Sequence, residues 1–256
     1  MRFSETELLQ VAARFLWPFL RIGALFIAIP LFSSHSVPMR VRTLLAFAVT
    51  VVIAPTLPAM PPVAIFSVPG LLIGIQQVLI GLLFGFILNL VFAAIVFGGQ
   101  SIAYNMGLGF ASLIDPQSGV QVPVIAQFYL ILATLLFLML DGHLMVIQLV
   151  AESFRAIPVD LAALSRERIW DVSLWSSRLF VAGVLLSLPL VSALLLVNLG
   201  FGVASRSAPQ LNIFSVGFPV TLLLGLLLIW VTLPNVMNLF AGFLSQSYQL
   251  ISQMLP

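Results

Sequence analysis

Cysteine and lysine are both absent from the sequence, and charged residues of all kinds make up only 7% of it. Without cysteine the chain has no disulfide or thiolate chemistry. Without lysine there is no phosphate-loop lysine, which excludes Gly107 and Gly109 as a nucleotide-binding loop. A soluble globular domain carries about 25% charged residues. The chain therefore has too few polar side chains to cover a water-facing surface.

Hydrophobic residues account for 61% of the chain, which indicates a protein of a lipid membrane or of a membrane assembly. Ten arginines against eight acidic residues leave a formal net charge of +2. This charge is small and scattered along the chain, so no nucleic-acid partner is expected.

Residues that could carry enzyme or metal chemistry are scarce. The only histidines are His35 and His143, so a zinc site, which usually needs cysteine or clustered histidine, is not expected. Asp141 precedes His143 by two positions, but neither a nucleophile nor an orienting group lies nearby. We therefore predict no catalytic, metal-binding or cofactor-binding residue, and we interpret Asp141–His143 as a polar helix end at an interface.

Long apolar segments predict an all-α fold of kinked and hairpin-like hydrophobic helices. A membrane helix needs about 20 apolar residues. Sixteen prolines and seventeen glycines in so apolar a chain predict many broken helices buried against other protein. The expected helical segments are Leu8–Phe32, Thr43–Phe66, Val68–Phe97, Val122–Ile147, Leu179–Ala204, Leu211–Leu233 and an amphipathic Asn235–Leu255.

Membrane transport of a small solute is one alternative function, and a structural membrane-assembly protein that lines no channel is another. Ion-coupled carriers place ionisable side chains inside their spans. Of the ten arginines, only Arg14 and Arg21 lie inside an expected span, seven residues apart on one helix face. Snorkelling or pairing explains them more simply than a proton relay does.

Small residues form a stripe on the helix expected over Val68–Phe97. Glycines at such spacing let two helix backbones approach closely, and a glutamine among them can form a hydrogen bond across the contact. Two interpretations remain open, namely a seam between subunits and an internal helix pair. The helix-packing or assembly residues are Gly70, Gly74, Gln77, Gly81 and Gly85.

The last expected helix carries polar side chains without any charge. A membrane-surface helix normally shows lysine or arginine on its polar face. An uncharged polar face suits either a hydrogen-bonded protein contact or a wet conduit that does not bind its cargo. The polar residues are Asn238, Ser245, Gln246, Gln249, Ser252 and Gln253.

The stretch MGLGFASLIDPQSGVQVP, from Met106 to Pro123, interrupts the apolar sequence near its middle. Because it is flexible and polar, it is either a connector between helices or a moving part. The residue before a proline avoids helical geometry, so Asp115-Pro116 is expected to end a helix under either interpretation.

The sequence resembles the FliR family of flagellar type III export-gate proteins. The resemblance covers essentially the whole chain and rests on WPFLRIGALFIAIPLFSSHSVPMRVR, the MGLGFASLIDP segment, Asp141-Gly142-His143-Leu144 and the segment from Arg206 to Pro219. The motif residues in that last segment are Arg206, Pro209, Gln210, Gly217 and Pro219.

The resemblance implies a single FliR-like domain over residues 1–256, with a FliP-like part over roughly 1–175 and a FliQ-like part over roughly 176–256. It further implies a channel subunit that passes unfolded flagellar proteins across the bacterial inner membrane. FliP and FliQ chains would be its partners, with FlhB and FlhA nearby. The complex would belong to the flagellar basal body, with its core raised toward the periplasm. A related subunit of the virulence injectisome remains the alternative.

The resemblance also implies that the loop Met106–Gln121 plugs the closed pore. Phe110 and Leu113 would point into the lumen as apolar stoppers, Met106 would supply a soft wall, and the two neighbouring glycines would let the loop move aside. The expected gate residues are Met106, Gly107, Leu108, Gly109, Phe110, Leu113, Asp115 and Pro116.

Overall fold

The computed structural model describes residues 5–33, 37–58, 60–61, 63–109, 123–160, 166–207 and 216–255. Most of these residues are helical and none of them is in a strand, so the all-α prediction is confirmed. The helices are α1 (Glu5–Ala28), α2 (Pro30–Ser33), α3 (Met39–Ile53), α4 (Val68–Asn105), α5 (Val124–Met139), α6 (Gly142–Ala156), α7 (Arg166–Trp175), α8 (Arg178–Ser207) and α9 (Phe218–Gln253).

One expected helix is shorter than its apolar segment. The segment Thr43–Phe66 ends as an α-helix at Ile53 and continues only as a 3-10 turn over Ala54–Thr56. Proline has no backbone N–H and disrupts a helix interior, and this segment contains several prolines. Apolar composition alone therefore overestimated the length of α3.

The expected helix Val122–Ile147 is two helices, because the chain breaks at Asp141. This residue has φ 53°, in the left-handed region that aspartate tolerates better than most side chains. The N–H groups of Leu144 and Met145 then donate to the Asp141 carbonyl at 2.9 and 3.0 Å, which starts α6. Asp141–His143 is thus a break between α5 and α6.

The two expected C-terminal helices are one. Helix α9 runs continuously from Phe218 to Gln253 with Pro234 inside it, so the predicted boundary beside this proline was wrong. A proline removes one backbone donor, and membrane helices tolerate this loss when neighbouring groups satisfy the freed carbonyl.

Five helical segments within the described residues are long and apolar enough to cross a membrane, and the count is six if α5 and α6 form one broken span. The chain is therefore a membrane protein.

Contacts divide the chain into two units. Unit 1 comprises Met1–Leu90, Leu138–Ser176 and Ser245–Pro256. Within it, α1 and the first half of α4 run in the same direction, because Trp17 lies near Gly74, while Ala28 lies near Gly85. The largest buried side chains of this unit are Trp17, Arg21, Phe26, Phe84 and Phe154.

Unit 2 comprises Val91–Phe137 and Ser177–Leu244. Its core contains Phe92, whose ring lies 5.6 Å from that of Phe137 and 5.5 Å from that of Phe240, both edge-on. Edge-to-face aromatic pairs at such distances are favourable beyond their area of contact. This aromatic cluster packs helices α4, α5 and α9 together inside the unit.

Candidate functional site

Helix α4 ends in a hydrogen-bonded cap immediately before the segment expected to act as a plug. The N–H of Gly107 donates to the Tyr104 carbonyl at 3.1 Å, and the N–H of Leu108 donates to the Ala103 carbonyl at 3.0 Å. Gly107 has φ 86°, which L side chains rarely adopt. These two bonds and the left-handed glycine define a Schellman motif, so α4 stops at a fixed point.

Side chains from α8 and α9 hold this end of α4 within unit 2. The amide of Asn198 donates to the Asn105 carbonyl at 3.3 Å. A Cβ at Gly107 would lie 2.9 Å from the Phe218 ring, so the chain passes directly beside that ring. A Cβ at Gly225 would lie 2.6 to 2.8 Å from three atoms of the Met106 side chain.

Of the eight expected gate residues, the structure describes the first four. Met106 is fully buried, whereas Gly107, Leu108 and Gly109 are half-buried. Met106 therefore packs inside unit 2, and its expected role as a soft wall of the pore stays a prediction. Phe110, Leu113, Asp115 and Pro116 lie outside the described residues, as does the rest of the loop through Gln121, so their roles stay predictions.

Gly107→Ala is expected to destabilise unit 2 by about 2 kcal/mol, because an L residue is strained at this left-handed φ and the new Cβ contacts Phe218. The midpoint of heat-induced aggregation in detergent measures the effect. Gly200→Ala in α8 is the matched control, since its Cβ would meet nothing within 4 Å and alanine favours a helix. Equal midpoints for the two variants would contradict the capping role.

The glycine stripe of α4 lies against α1 of the same chain. A Cβ at Gly81 would overlap the Arg21 carbonyl oxygen and lie 2.9 Å from the Cβ of Ala24. One at Gly85 would overlap the Cβ of Ala28 and lie 3.0 Å from the Leu25 carbonyl oxygen. These contacts form an internal helix pair, which was one of the two sequence-based alternatives.

The other stripe residues have different neighbours. A Cβ at Gly74 would be in ordinary contact with Trp17 and Leu20 at 3.4 and 3.5 Å. At Gly70 it would meet the carbonyl oxygens of Ala64 and Ile65, which belong to the connection that precedes α4. The two helix backbones therefore approach most closely at Gly81 and Gly85. That the glycine stripe also contacts another subunit stays a prediction.

Arg21 is fully buried at the centre of unit 1 and donates hydrogen bonds to three segments. Its Nε donates to Gln77 Oε1 at 2.9 Å, its Nη1 to Ser153 Oγ at 2.8 Å, and its Nη2 to the Ile157 carbonyl at 3.0 Å. The guanidinium carbon also lies 3.9 Å from the centre of the Phe154 ring. One side chain thus connects α1, α4 and the end of α6.

These oxygen partners of Arg21 are neutral, so the cation is solvated by dipoles and a π face. The planar guanidinium suits this arrangement, because it presents donors in several directions and stacks on aromatic rings. Arg14 behaves differently, since it is exposed and makes one long bond of 3.4 Å to the Pro55 carbonyl. The sequence left two explanations for these arginines, snorkelling and pairing. Arg21 is paired by hydrogen bonds with acceptors inside the protein, so it does not snorkel.

The break at Asp141 is tied to the C-terminal helix inside unit 1. The hydroxyl of Tyr248 donates to the Gly142 carbonyl at 3.1 Å. His143 Nδ1 is buried, and it has no hydrogen-bond partner among the described residues. No group of three potential metal-ligating side chains occurs in the described part of the chain. The observed contacts fit the predicted polar helix end.

The C-terminal part of α9 is amphipathic, as the sequence predicted. Val236, Phe240 and Ile251 are buried. The uncharged polar side chains of Asn238, Ser245, Gln246, Gln249, Ser252 and Gln253 are exposed.

The motif segment near Arg206 is only partly described. Arg206 is exposed at the end of α8, Gly217 is buried and Pro219 is exposed at the start of α9. Pro209 and Gln210 lie outside the described residues.

Comparison with known proteins decides the family. Residues 12–247 match the model of the family described as "Bacterial export proteins, family 1". The chain is 37% identical over 255 residues to the flagellar biosynthetic protein FliR of Pectobacterium carotovorum subsp. carotovorum, covering 100% of this chain and 97% of the relative. The chain belongs to the FliR family.

Other FliR proteins show the same extent of similarity. The Escherichia coli (strain K12) FliR is 38% identical over 241 residues, which cover 94% of this chain and 92% of the relative. The Bacillus subtilis (strain 168) FliR is 32% identical over 243 residues, which cover 91% of this chain and 93% of the relative. Membership of the FliR family makes the chain a membrane subunit of the flagellar export apparatus, assembled with other export-gate subunits, and not an enzyme.

Proposed function

We propose that the chain is a channel and gate subunit that passes unfolded flagellar proteins across the bacterial inner membrane. The segment Met106–Gln121 closes the pore when no substrate passes, with Phe110 and Leu113 as the apolar stoppers. Within this segment Asp115-Pro116 ends a helix, since a residue before proline avoids helical geometry.

The observation that carries this proposal is the fixed end of α4. A stopper needs a rigid base on one side and freedom to move on the other. The Schellman cap at Gly107 and the contacts of Asn105, Met106 and Gly107 with α8 and α9 supply such a base. The segment of proposed stoppers begins three residues after the capping glycine.

The proposed partners are FliP and FliQ chains, with FlhB and FlhA beside the assembly. Exposed apolar faces on α8 and α9 support this proposal. In the most apolar part of α4, 61% of the residues are buried. In the most apolar part of α9, only 22% are buried. Large exposed side chains include Leu196 and Leu199 on α8, and Leu223 and Trp230 on α9. Such faces are covered by lipid or by other subunits.

The proposed location is the flagellar basal body, with the core of the complex raised toward the periplasmic side of the inner membrane. Within the chain, residues 1–175 correspond to the proposed FliP-like part and residues 176–256 to the FliQ-like part. The aromatic and glycine contacts between α4 and the last two helices lie inside unit 2, which joins segments of both proposed parts.

Replacing residues 110–119 by a glycine–serine segment of equal length tests the gate. The replacement keeps the cap at Gly107 and the length of the connection, and it removes both stoppers. We expect the complex to assemble and the membrane to become permeable to small ions in the absence of export. Conductance of the assembled complex in a planar bilayer is the measurement.

A matched control replaces only Gln117 by glycine, which leaves Phe110 and Leu113 in place. This variant is expected to stay as impermeable as the parent. If the full replacement assembles and its conductance equals that of the control, the segment does not close the pore.

A further inference from the structure

We propose that an uncharged polar stripe on the C-terminal part of α9 is the surface on which a helix of another export-gate subunit packs through side-chain hydrogen bonds. This inference rests on the assembly of the chain with other export-gate subunits, and it is independent of the proposed pore closure. The stripe consists of the exposed residues within 235–253, which are Asn235, Asn238, Leu239, Gly242, Ser245, Gln246, Gln249, Ser252 and Gln253.

The stripe follows one side of an unbroken helix. Helix α9 continues to Gln253, and successive residues of an α-helix are rotated by about 100°, so the nine exposed residues fall within an arc of about 140°. At 1.5 Å per residue the stripe is about 27 Å long. The opposite side carries buried residues such as Val236, Phe240 and Ile251. The chain therefore covers one side of this helix and leaves the other side open over about five turns.

Lipid hydrocarbon is an unfavourable environment for the stripe. Seven of its nine residues have polar side chains. A serine hydroxyl can be satisfied within the helix, as Ser252 Oγ donates to the Gln249 carbonyl at 2.9 Å. The side-chain amides of Asn238 and Gln249 make no hydrogen bond among the described residues. Transfer of such a group to an apolar medium without a partner costs roughly 2–7 kcal/mol.

The preceding part of the same helix shows the contrast. From its start to residue 233, the large exposed side chains of α9 are apolar and suit either hydrocarbon or an apolar protein surface. They include Leu223, Leu227, Trp230 and Val231. The outward chemistry of α9 therefore changes from apolar to polar at Asn235.

Bulk water does not explain the stripe either. Water-facing surfaces carry roughly 25–35% charged residues, so about two or three charges are expected among nine exposed positions. The stripe has none, and residues 207–256 contain no aspartate, glutamate, lysine or arginine. The surface is suited to hydrogen bonding without being suited to bulk solvent.

A helix of a neighbouring subunit fits both observations. Helices in apolar surroundings associate through small residues, which allow close approach, and through Asn, Gln and Ser side chains, which bond across the contact. Gly242 and Ser245 lie one turn apart near the middle of the stripe, with Asn238 and Gln249 on either side. The partner helix is therefore expected to present small residues opposite Gly242, and uncharged amides or hydroxyls opposite Asn238 and Gln249.

Gly242 supports the close approach independently of the polar residues. A Cβ at this position would meet nothing within 4 Å in the described part of the chain. Glycine in a helix interior costs about 1 kcal/mol relative to alanine, and no contact described within the chain requires it here. The backbone of a second helix packed against α9 gives this glycine a role.

Single cysteines test whether a subunit covers the stripe, because the natural chain has no cysteine. Ser245→Cys and Ser252→Cys place a thiol on the stripe, whereas Ser247→Cys, the matched control, places one on the buried side of the same helix. Each chain is reconstituted in lipid nanodiscs with and without the other export-gate subunits and treated with a charged maleimide. We expect assembly to slow labelling at 245 and 252 more than about tenfold, since a covered thiol reacts only when the contact opens. The control is expected to react slowly in both samples.

Two results of this labelling would overturn the inference. Fast labelling at 245 and 252 in the assembled complex would mean that the stripe faces water, as the wall of an aqueous conduit would. Labelling that is already slow without the other subunits would mean that lipid covers the stripe.

Gly242→Leu tests the close approach itself. The chain has room for a side chain at this position, so we expect normal amounts of the variant in the membrane. Its co-purification with the other subunits is expected to fall about tenfold, because the leucine separates the two helices. Gly23→Leu on α1 is the matched control, since its Cβ also meets nothing within 4 Å, and it is expected to assemble normally. Equal co-purification of the two variants would overturn the inference, and if Gly242→Leu is itself lost from the membrane, the labelling result decides.

Discussion

Gly81→Leu is expected to force α1 away from α4 and to remove most of the folded chain from the membrane. A Cβ at this position overlaps the Arg21 carbonyl oxygen, which is part of the α1 backbone and cannot rotate away as a side chain can. Overpacking a core typically destabilises by 1–3 kcal/mol, and we expect more than about 3 kcal/mol here because two helix backbones must separate. The same displacement pulls the Arg21 guanidinium away from its acceptors on α4 and α6.

The amount of chain in purified membranes and swimming motility measure this effect. Gly23→Leu is the matched control, since Gly23 lies on α1 within the same helix pair and a Cβ there meets nothing within 4 Å. Gly23→Leu cells are expected to retain the chain and to swim. Normal levels and normal swimming of the Gly81→Leu strain would show that the close α1–α4 contact is not needed.

Arg21→Met is expected to destabilise unit 1 by about 2 kcal/mol. The variant leaves the Gln77 side-chain oxygen and the Ile157 carbonyl without their donor, and an unsatisfied buried polar group costs about 1–3 kcal/mol. Ser153 is less affected, because its hydroxyl also donates to the Val150 carbonyl at 2.6 Å. Removing the cation also removes its own desolvation penalty, which offsets part of the loss.

Gln77→Leu is expected to cost more, about 3 kcal/mol, because it retains the buried cation and removes one of its acceptors. Thermal stability in detergent of the two single variants and the double variant gives the coupling between the residues. We expect the double variant to lose less than the sum of the single losses. Arg14→Met on the same helix is the control and should change stability by less than about 0.5 kcal/mol, since Arg14 is exposed. Strict additivity would contradict a direct Arg21–Gln77 interaction.

Composition and apolar length predicted the fold class and most helices, because burial of apolar surface dominates in so hydrophobic a chain. The predicted helix boundaries were wrong where they depended on local backbone geometry. The left-handed Asp141 divides an apolar run that has no proline at that point, whereas Pro234 lies inside one continuous helix. A proline pattern therefore identified neither of these two features.

The glycine stripe was visible in the sequence because helical periodicity places its members on one face, yet periodicity does not specify the opposite helix. The burial of Arg21 among neutral acceptors was not predicted, since Ser153 and Ile157 lie more than 130 residues further along the chain. Gly225 was missed for a similar reason. An isolated glycine within the leucine-rich α9 gives no periodic signal, and the role of Gly225 depends on the side chain of Met106, which follows the end of α4.

The hydrogen bonds of Arg21 also have a consequence for the order of events during biosynthesis. Its last acceptor, the Ile157 carbonyl, lies 136 residues downstream. At ribosomal speeds of about 5–20 residues per second, α1 waits on the order of ten seconds after its own synthesis before that acceptor exists. During this interval the guanidinium must be solvated by water, lipid headgroups or the insertion machinery, because an isolated cation in hydrocarbon is strongly disfavoured. Helix α1 is therefore made well before the groups that complete its final environment.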